Sequence, residues 1–201
     1  MTHLNSLRRT VLIAGLALLA HSSAVPAIAQ EAELTLDASQ SQVSFTLGDI
    51  LHTVHGTFKL KRGIVKFDLV TGHADGLVVI DATSGDSGSH ARDHKMHKDI
   101  LESEQYPEIT FAPHEVQGQI PSQGDFKVQV LGTFTLHGAS HPLTLVIQAH
   151  LADEQLSADT KFTIPYVSWG LKNPSTLFLR VNDTVDLAIH AMGQIKLASA
   201  H

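Results

Sequence analysis

The chain has 201 residues, with 20 acidic and 14 basic side chains, a formal charge of −6 at pH 7 and no cysteine. The excess of negative charge argues against nucleic acid and anionic lipid surfaces as partners. The lack of cysteine excludes disulfides and thiol redox chemistry, so the fold depends on packing alone.

The N-terminus has the pattern of a secretory signal peptide. Arg8-Arg9 gives a basic start, Val11–Ala20 is a short apolar run, and Ala27-Ile28-Ala29 is a small-x-small cleavage signal. The run is shorter than the roughly 20 apolar residues of a membrane span, and no later segment approaches that length. We predict a signal peptide over 1–29, a single domain over 30–201 and a periplasmic or secreted location. The predicted mature chain keeps 12 of the 14 basic residues and all 20 acidic ones, a formal charge of −8.

The mature chain alternates apolar and polar residues at the period of two that is typical of half-buried strands. The Ser-Gln cluster after Leu36 predicts a bend, and turns are expected at Lys61-Arg62-Gly63, at Thr71-Gly72-His73 and at His137-Gly138. About eight strands, one short helix and no βαβ alternation predict an all-β fold, an antiparallel barrel or sandwich. The predicted strands lie in segments 34–47, 58–60, 65–69, 77–82, 109–118, 126–136, 143–147, 161–165 and 185–189.

One helix-like stretch, Ser87–Phe111, interrupts this pattern. The residues that lead into it, Gly85-Asp86-Ser87-Gly88-Ser89, resemble the sequence around the nucleophile of trypsin-like serine proteases. Too few residues precede Ser87 to supply the histidine and aspartate of such an enzyme, and the disulfides of that class are absent. We therefore interpret Ser87 or Ser89 as an N-cap that accepts the first helical N–H groups.

A metal site is a second possibility in the same stretch. His90, His94 and His97 lie at i, i+4 and i+7, along one face of a helix, and Asp93 and Asp99 offer oxygen ligands. The spacing brings only adjacent pairs of histidines to one metal, and no glutamate stands where a general base would be needed. We assign no metal and no cofactor, and we keep a metal-dependent enzyme using this face as an alternative.

Paired carboxylates give little support for acid–base catalysis. Glu102 and Glu104 follow Asp99 at the helix end, and Asp81 and Asp86 flank a strand end. Surface charge accounts for all of them, and nothing places two across a cleft. No catalytic residue is predicted.

The eight phenylalanines lie on predicted strands or just before the last one. An eight-stranded barrel has an interior that side chains can fill or that can hold one slender ligand. Periodicity does not distinguish the two, so a filled core stays open beside an apolar tunnel.

Three ordered motifs resemble those of the YceI-like polyisoprenoid-binding family. They are Arg92-Asp93-x-x-Met96-His97-x-x-Ile100-Leu101-Glu102-Ser103-x-x-Tyr106-Pro107-x-Ile109-x-Phe111, Gly132-x-Phe134-Thr135-Leu136-His137-Gly138-x-x-His141-Pro142, and Val167-Ser168-Trp169-Gly170. The resemblance covers nearly all of Leu34 to Ile195. Many members have a charged Arg-x-Asp/Glu before the last motif, whereas this chain has Tyr166-Val167-Ser168, so their headgroup contacts are not carried over.

The resemblance implies an antiparallel eight-stranded lipocalin-like barrel with the short helix near its mouth. It also implies an exported protein that stores or transports a polyisoprenoid quinone or another long-chain amphiphilic lipid. The polar residues expected at the mouth are Arg92, His97 and His137, although Arg92 and Asp93 would equally suit an ion pair that fixes the helix. The apolar residues expected along the tunnel are Phe45, Phe58, Phe67, Leu77, Val79, Met96, Leu101, Phe111, Phe134, Phe162, Trp169 and Phe178.

Two other classes of function stay open at this point. One is the metal-dependent enzyme described above, and the other is a structural or stress-response interaction protein with a filled core. Asn182-Asp183-Thr184 matches a glycosylation acceptor, a common pattern that matters only in a host that modifies it. The resemblance leaves open whether the barrel acts as a homodimer.

Overall fold

The computed structural model describes residues 31–48, 53–176 and 180–197. In this part of the chain, eight antiparallel strands form a closed barrel in which each strand pairs with its sequence neighbours and the last pairs with the first. This confirms the predicted all-β barrel. The strands are β1 Glu31–Gly48, β2 Thr53–Asp68, β3 Ala74–Asp86, β4 Glu108–Gln117, β5 Gly124–Leu136, β6 Ala139–Ala152, β7 Gln155–Ile164 and β8 Val185–Leu197. The predicted signal peptide and Phe178 lie outside the described residues.

The turn predicted at Lys61-Arg62-Gly63 is wrong, because β2 runs through it without a break. The pairing of β2 with β3 shifts register between Leu60 and Arg62, and both Lys61 and Arg62 are exposed. This irregularity lets the apolar alternation resume one residue out of phase, with Val65 buried like Leu60. A bulge and a turn leave the same break in the period of two, which explains the error.

The bend predicted after Leu36 lies inside one continuous strand, where the pairing of β1 shifts register on both sides. Asp37 accepts hydrogen bonds from the backbone N–H and hydroxyl of Ser39, at 2.8 and 2.6 Å. The hydrogen bonds from Ser39 and Gln40 lower the pKa of the Asp37 carboxyl. The Ser-Gln cluster therefore forms a local side-chain loop that is bulged out of the ladder.

The β3–β4 connection, residues 87–107, contains a short α-helix, α1 His90–Lys95, followed by a π-helical turn, Met96–Ile100. Ser89 is the N-cap residue, but its side chain accepts no capping hydrogen bond. Ser87 does not cap either: its backbone N–H and its hydroxyl both donate to Asp93 Oδ1, at 2.8 and 2.6 Å. The predicted side-chain cap is therefore wrong, and a carboxylate inside the helix fixes its first turn.

Two connections lie at the same end of the barrel. The β3–β4 connection joins strand ends there, and so does the β7–β8 connection, residues 165–184, of which 177–179 are not described. Buried apolar side chains form one cluster toward this end and a second toward the opposite end. In the described residues, no helix is long and apolar enough to cross a membrane.

Candidate functional site

A cavity of about 590 Å³ lies inside the end of the barrel that the two connections cover. Its wall combines strand residues with Met96, Ile100 and Leu101 from the β3–β4 connection and with Leu171 and Pro174 from the β7–β8 connection. Almost all of this surface is apolar. The interior at this end is therefore hollow, which argues against the filled-core alternative.

A second cavity of about 170 Å³ lies toward the opposite end. Its wall includes Phe67, Phe111 and Phe162, and no charged side chain of the described residues lines it. Ile80 and Phe134 belong to the walls of both cavities. The apolar interior is thus divided into a large and a small compartment at these two side chains.

Most of the apolar residues predicted for the tunnel do line a cavity. The larger cavity has Phe45, Phe58, Met96, Leu101 and Phe134 in its wall, and the smaller one has Phe67, Phe111, Phe134 and Phe162. Leu77 and Val79 line neither cavity, because they alternate with the inward-facing Val78 and Ile80. Both were expected along the tunnel from the family resemblance, but residues 77–80 are all apolar, so the sequence hides which of these side chains point inward.

Trp169 also lies outside both cavity walls. Its ring stacks on His141, with centroids 4.1 Å apart and planes 3° apart, and its centroid lies 5.8 Å from that of Phe134. Nε2 of His141 is buried and has no hydrogen-bond partner in the described part of the chain. Trp169 therefore packs against the wall residue Phe134 and does not itself form the surface that a ligand would contact.

Of the three polar residues predicted at the mouth, only Arg92 lines the cavity. His97 uses both ring nitrogens within the protein, with Nδ1 3.1 Å from Ser103 Oγ and Nε2 2.9 Å from the carbonyl oxygen of Gly85. His137 Nε2 lies 2.9 Å from Glu102 Oε2. Both histidines thus attach the β3–β4 connection to the barrel, and sequence spacing alone does not reveal such pairing.

A π-helical turn begins at Met96, before His97, and changes the helical repeat on which the predicted row of histidines depends. In the described residues, no group of three His, Cys, Asp or Glu side chains is placed to hold a metal ion. Arg92 and Asp93 are not an ion pair either. Arg92 donates from Nε to Ser87 Oγ, at 3.2 Å, and from Nη2 to the Ser87 carbonyl oxygen, at 3.0 Å.

Sequence reasoning predicted only Arg92 among the polar residues of the larger cavity, and those it missed include Lys95 and Tyr166. Lys95 follows Arg92 by three residues on α1, a spacing that places both on one side of a helix. The Tyr166 hydroxyl donates to the Asn182 carbonyl oxygen at 2.7 Å. Burial, together with the charge of Asp183, raises the pKa of Tyr166 to about 12, so its hydroxyl stays neutral at physiological pH.

A closed antiparallel barrel around an apolar cavity defines a class of proteins that hold ligands inside a β-barrel. Residues 34–192 match the sequence profile of the YceI-like domain. The chain therefore belongs to the YceI-like family, as its motifs predicted.

Relatives by sequence carry only a family designation. A "UPF0312 protein" of Vibrio vulnificus (strain YJ016) is 29% identical over 147 residues, 71% of this chain and 74% of the relative. A "UPF0312 protein" of Pseudomonas savastanoi pv. phaseolicola is 32% identical over 126 residues, 61% of this chain and 64% of the relative.

Solved structures share the barrel. BcnA of Burkholderia cenocepacia superposes with a TM-score of 0.64 at 20% identity, covering 78% of this chain and 98% of BcnA. A polyisoprenoid-binding domain from Saccharophagus degradans, implicated in plant cell wall breakdown, gives a TM-score of 0.61 at 16% identity. That comparison covers 81% of this chain and 98% of the domain. At these identities, the likeness extends to the fold.

Proposed function

We propose that this protein binds one long-chain amphiphilic lipid, such as a polyisoprenoid quinone, inside its barrel and stores or transports the lipid without chemical turnover. The N-terminal signal-peptide pattern supports a periplasmic or secreted location for this activity. The shared fold supports a binding role, because the structural neighbour from Saccharophagus degradans is a polyisoprenoid-binding domain.

The observation that carries the proposal is the hollow apolar interior. Its larger cavity, of about 590 Å³, falls within the roughly 300–1,000 Å³ typical of small-molecule sites. Because an apolar cavity of about 150 Å³ holds one benzene ring, this volume corresponds to roughly four such rings, or 20 to 25 carbon atoms. The cavity therefore suits an isoprenoid or acyl chain better than a compact solute.

Energetics also favour occupation by a lipid. A cavity in a protein core costs about 24 cal/mol per Å³, because the side chains around it lose contacts. A bound chain restores those contacts, and burial of its surface adds about 25 cal/mol per Å².

Native mass spectrometry of the gently purified protein tests the proposal directly. We expect a mass increment for a bound lipid, loss of that increment on extraction with organic solvent, and its return on incubation with a quinone that carries a short isoprenoid tail. A protein that is isolated empty and takes up neither a quinone nor a fatty amide would contradict the proposal.

Two tryptophan substitutions test whether the lipid binds in the larger cavity. Leu187 lines the larger cavity, whereas Val146 lies on the outside of the barrel and is 41% exposed. Leu187→Trp fills part of the cavity and should abolish lipid uptake. Val146→Trp adds the same side chain outside and should leave uptake unchanged.

A further inference from the structure

The charged residues of the larger cavity are both cations. Arg92 and Lys95 lie in its wall, and no aspartate or glutamate of the described chain does. The other polar residues of the wall are Ser87, Tyr166 and Thr176. This local positive charge contrasts with the formal charge of −6 of the whole chain. A lipid with its apolar tail in the cavity would have its headgroup close to these two residues.

Arg92 is held in position but is not neutralised. Its two hydrogen bonds go to the hydroxyl and the carbonyl oxygen of Ser87, both uncharged acceptors, and they use two of the five N–H groups of a guanidinium. The neighbouring Asp93 receives both donors of Ser87 instead. The remaining N–H groups of Arg92 are therefore available to a ligand beside the cavity.

Lys95 has no hydrogen bond and no ion pair in the described part of the chain. It stands one helical turn from Arg92, so the two positive charges are neighbours on α1. Both side chains are exposed, so solvent screens their repulsion, but an anion held between them is attracted by two positive charges at once. A neutral headgroup accepts a hydrogen bond but leaves both charges uncompensated.

We propose that the lipid bound by this protein has an anionic headgroup, a carboxylate or a phosphate, held between Arg92 and Lys95. This inference rests on the proposed function and narrows it: among long-chain amphiphilic lipids, the site favours an anionic headgroup over a neutral one such as a quinone. Arginine suits this role because its planar guanidinium binds carboxylate and phosphate oxygens in pairs. Lys95 adds a second, mobile point charge. The apolar cavity then supplies affinity, and the two cations supply selectivity for the headgroup.

Two matched ligand pairs test the inference at pH 8, each pair differing only in headgroup charge. They are geranylgeranyl phosphate with geranylgeraniol, and oleate with oleyl alcohol. Displacement of a fluorescent probe from delipidated protein gives the four affinities. We expect at least one anion to bind about tenfold more tightly than its alcohol, and we expect added salt to weaken this preference. Whether the phosphate or the carboxylate shows the larger preference identifies the headgroup.

The double variant Arg92→Gln/Lys95→Gln should bind the alcohols as the wild type does and lose the preference for the anions. Alcohol binding in the same sample shows that the barrel is folded. Lys98→Gln, an exposed neighbour that does not line the cavity, should keep the preference. If anions and alcohols bind the wild type equally, or if the double variant keeps the preference, the inference is overturned while lipid binding stands. If none of the four ligands binds but a quinone or a fatty amide does, this inference fails and the proposed function stands. If a quinone and a fatty amide also fail to bind, both fail.

Discussion

Ile80 of β3 and Phe134 of β5 each contribute to the walls of both cavities, so these two side chains separate the larger cavity from the smaller one. Phe134 is 3% exposed and Ile80 8%, and the Phe134 ring contacts the rings of Phe162 and Trp169. The separation is therefore held by packing from several sides. We infer that this separation limits how far a bound chain could reach into the barrel.

We predict that Phe134→Ala joins the two cavities and lengthens the longest chain that binds. The smaller cavity adds about 170 Å³, room for roughly one more benzene-sized group, or one isoprene unit. A series of isoprenoid alcohols of increasing length, measured by displacement of a fluorescent probe, should show the affinity maximum move to a longer chain. The substitution should also lower the free energy of unfolding by about 3 kcal/mol, because it removes a buried aromatic ring.

Phe45→Ala is the matched control, since Phe45 is buried and lines only the larger cavity. This variant enlarges the larger cavity without opening the division at Phe134. Its affinity maximum should stay at the wild-type chain length. An equal shift in both variants would show that total volume, rather than the division, limits chain length.

The sequence predicts the barrel because alternation, turn residues and family motifs all indicate the same fold. It does not predict the bulge in β2, because Lys61-Arg62-Gly63 has the composition of a turn. Only the pairing of β2 with its neighbouring strands shows that the strand continues. The direction of a side chain is similarly hidden in the continuous apolar run that contains Leu77 and Val79. Register against the neighbouring strands decides these features, and register is a property of the tertiary structure.

The polar residues of the site also show a limit of prediction from sequence. The motif that contains Arg92 and His97 was found from sequence, yet only Arg92 reaches the cavity. His97 is satisfied by Ser103 and by the Gly85 carbonyl, a contact made twelve residues away across the end of β3. Lys95 was missed because a lysine on an exposed helix has the pattern of ordinary surface charge.

We predict that His97 acts in stability rather than as a direct ligand contact. His97→Ala removes two side-chain hydrogen bonds and leaves the hydroxyl of Ser103, a residue that is 3% exposed, without its imidazole partner. The free energy of unfolding in urea should fall by about 1–3 kcal/mol. His94→Ala, an exposed neighbour on α1, should change it by less than about 0.5 kcal/mol. Equal stability of the two variants, with lipid affinity lost only in His97→Ala, would instead make His97 a ligand contact.

Alanine substitutions at two glycines distinguish the cost of backbone strain from the cost of side-chain packing at the barrel mouth. Gly138 and Gly88 share a φ of +75°, but a Cβ on Gly138 would lie 2.7 Å from Tyr106 Cε1, whereas a Cβ on Gly88 meets nothing within 4 Å. Gly88→Ala should cost about 1 kcal/mol for the left-handed backbone alone. Gly138→Ala should cost about 1–3 kcal/mol more, because Tyr106 must move. Equal losses in urea unfolding would show that the Tyr106 ring yields without cost.

We expect acidic pH to weaken the attachment of the β3–β4 connection to the barrel, because the Glu102 carboxylate becomes protonated. This carboxylate accepts hydrogen bonds from His137 Nε2 at 2.9 Å and from Lys172 Nζ at 3.3 Å, and these bonds, His137 first, lower the pKa of Glu102 below its usual 4.5. A carboxyl with a lowered folded pKa stabilises the fold above its unfolded pKa, and that stabilisation is lost as the pH falls through the folded value.

We therefore predict that Glu102→Gln is less stable than the wild type at pH 7, and that the difference shrinks as the pH falls below about 4.5. Urea unfolding at several pH values measures the difference directly. Several other carboxyls with lowered pKa values, such as Asp81 and Asp93, are common to both proteins, so their acid response cancels. Glu104→Gln, an exposed neighbour, should follow the wild type at every pH. A difference between wild type and Glu102→Gln that stays constant down to pH values well below 4.5 would show that Glu102 stabilises the mouth through packing rather than through its charge.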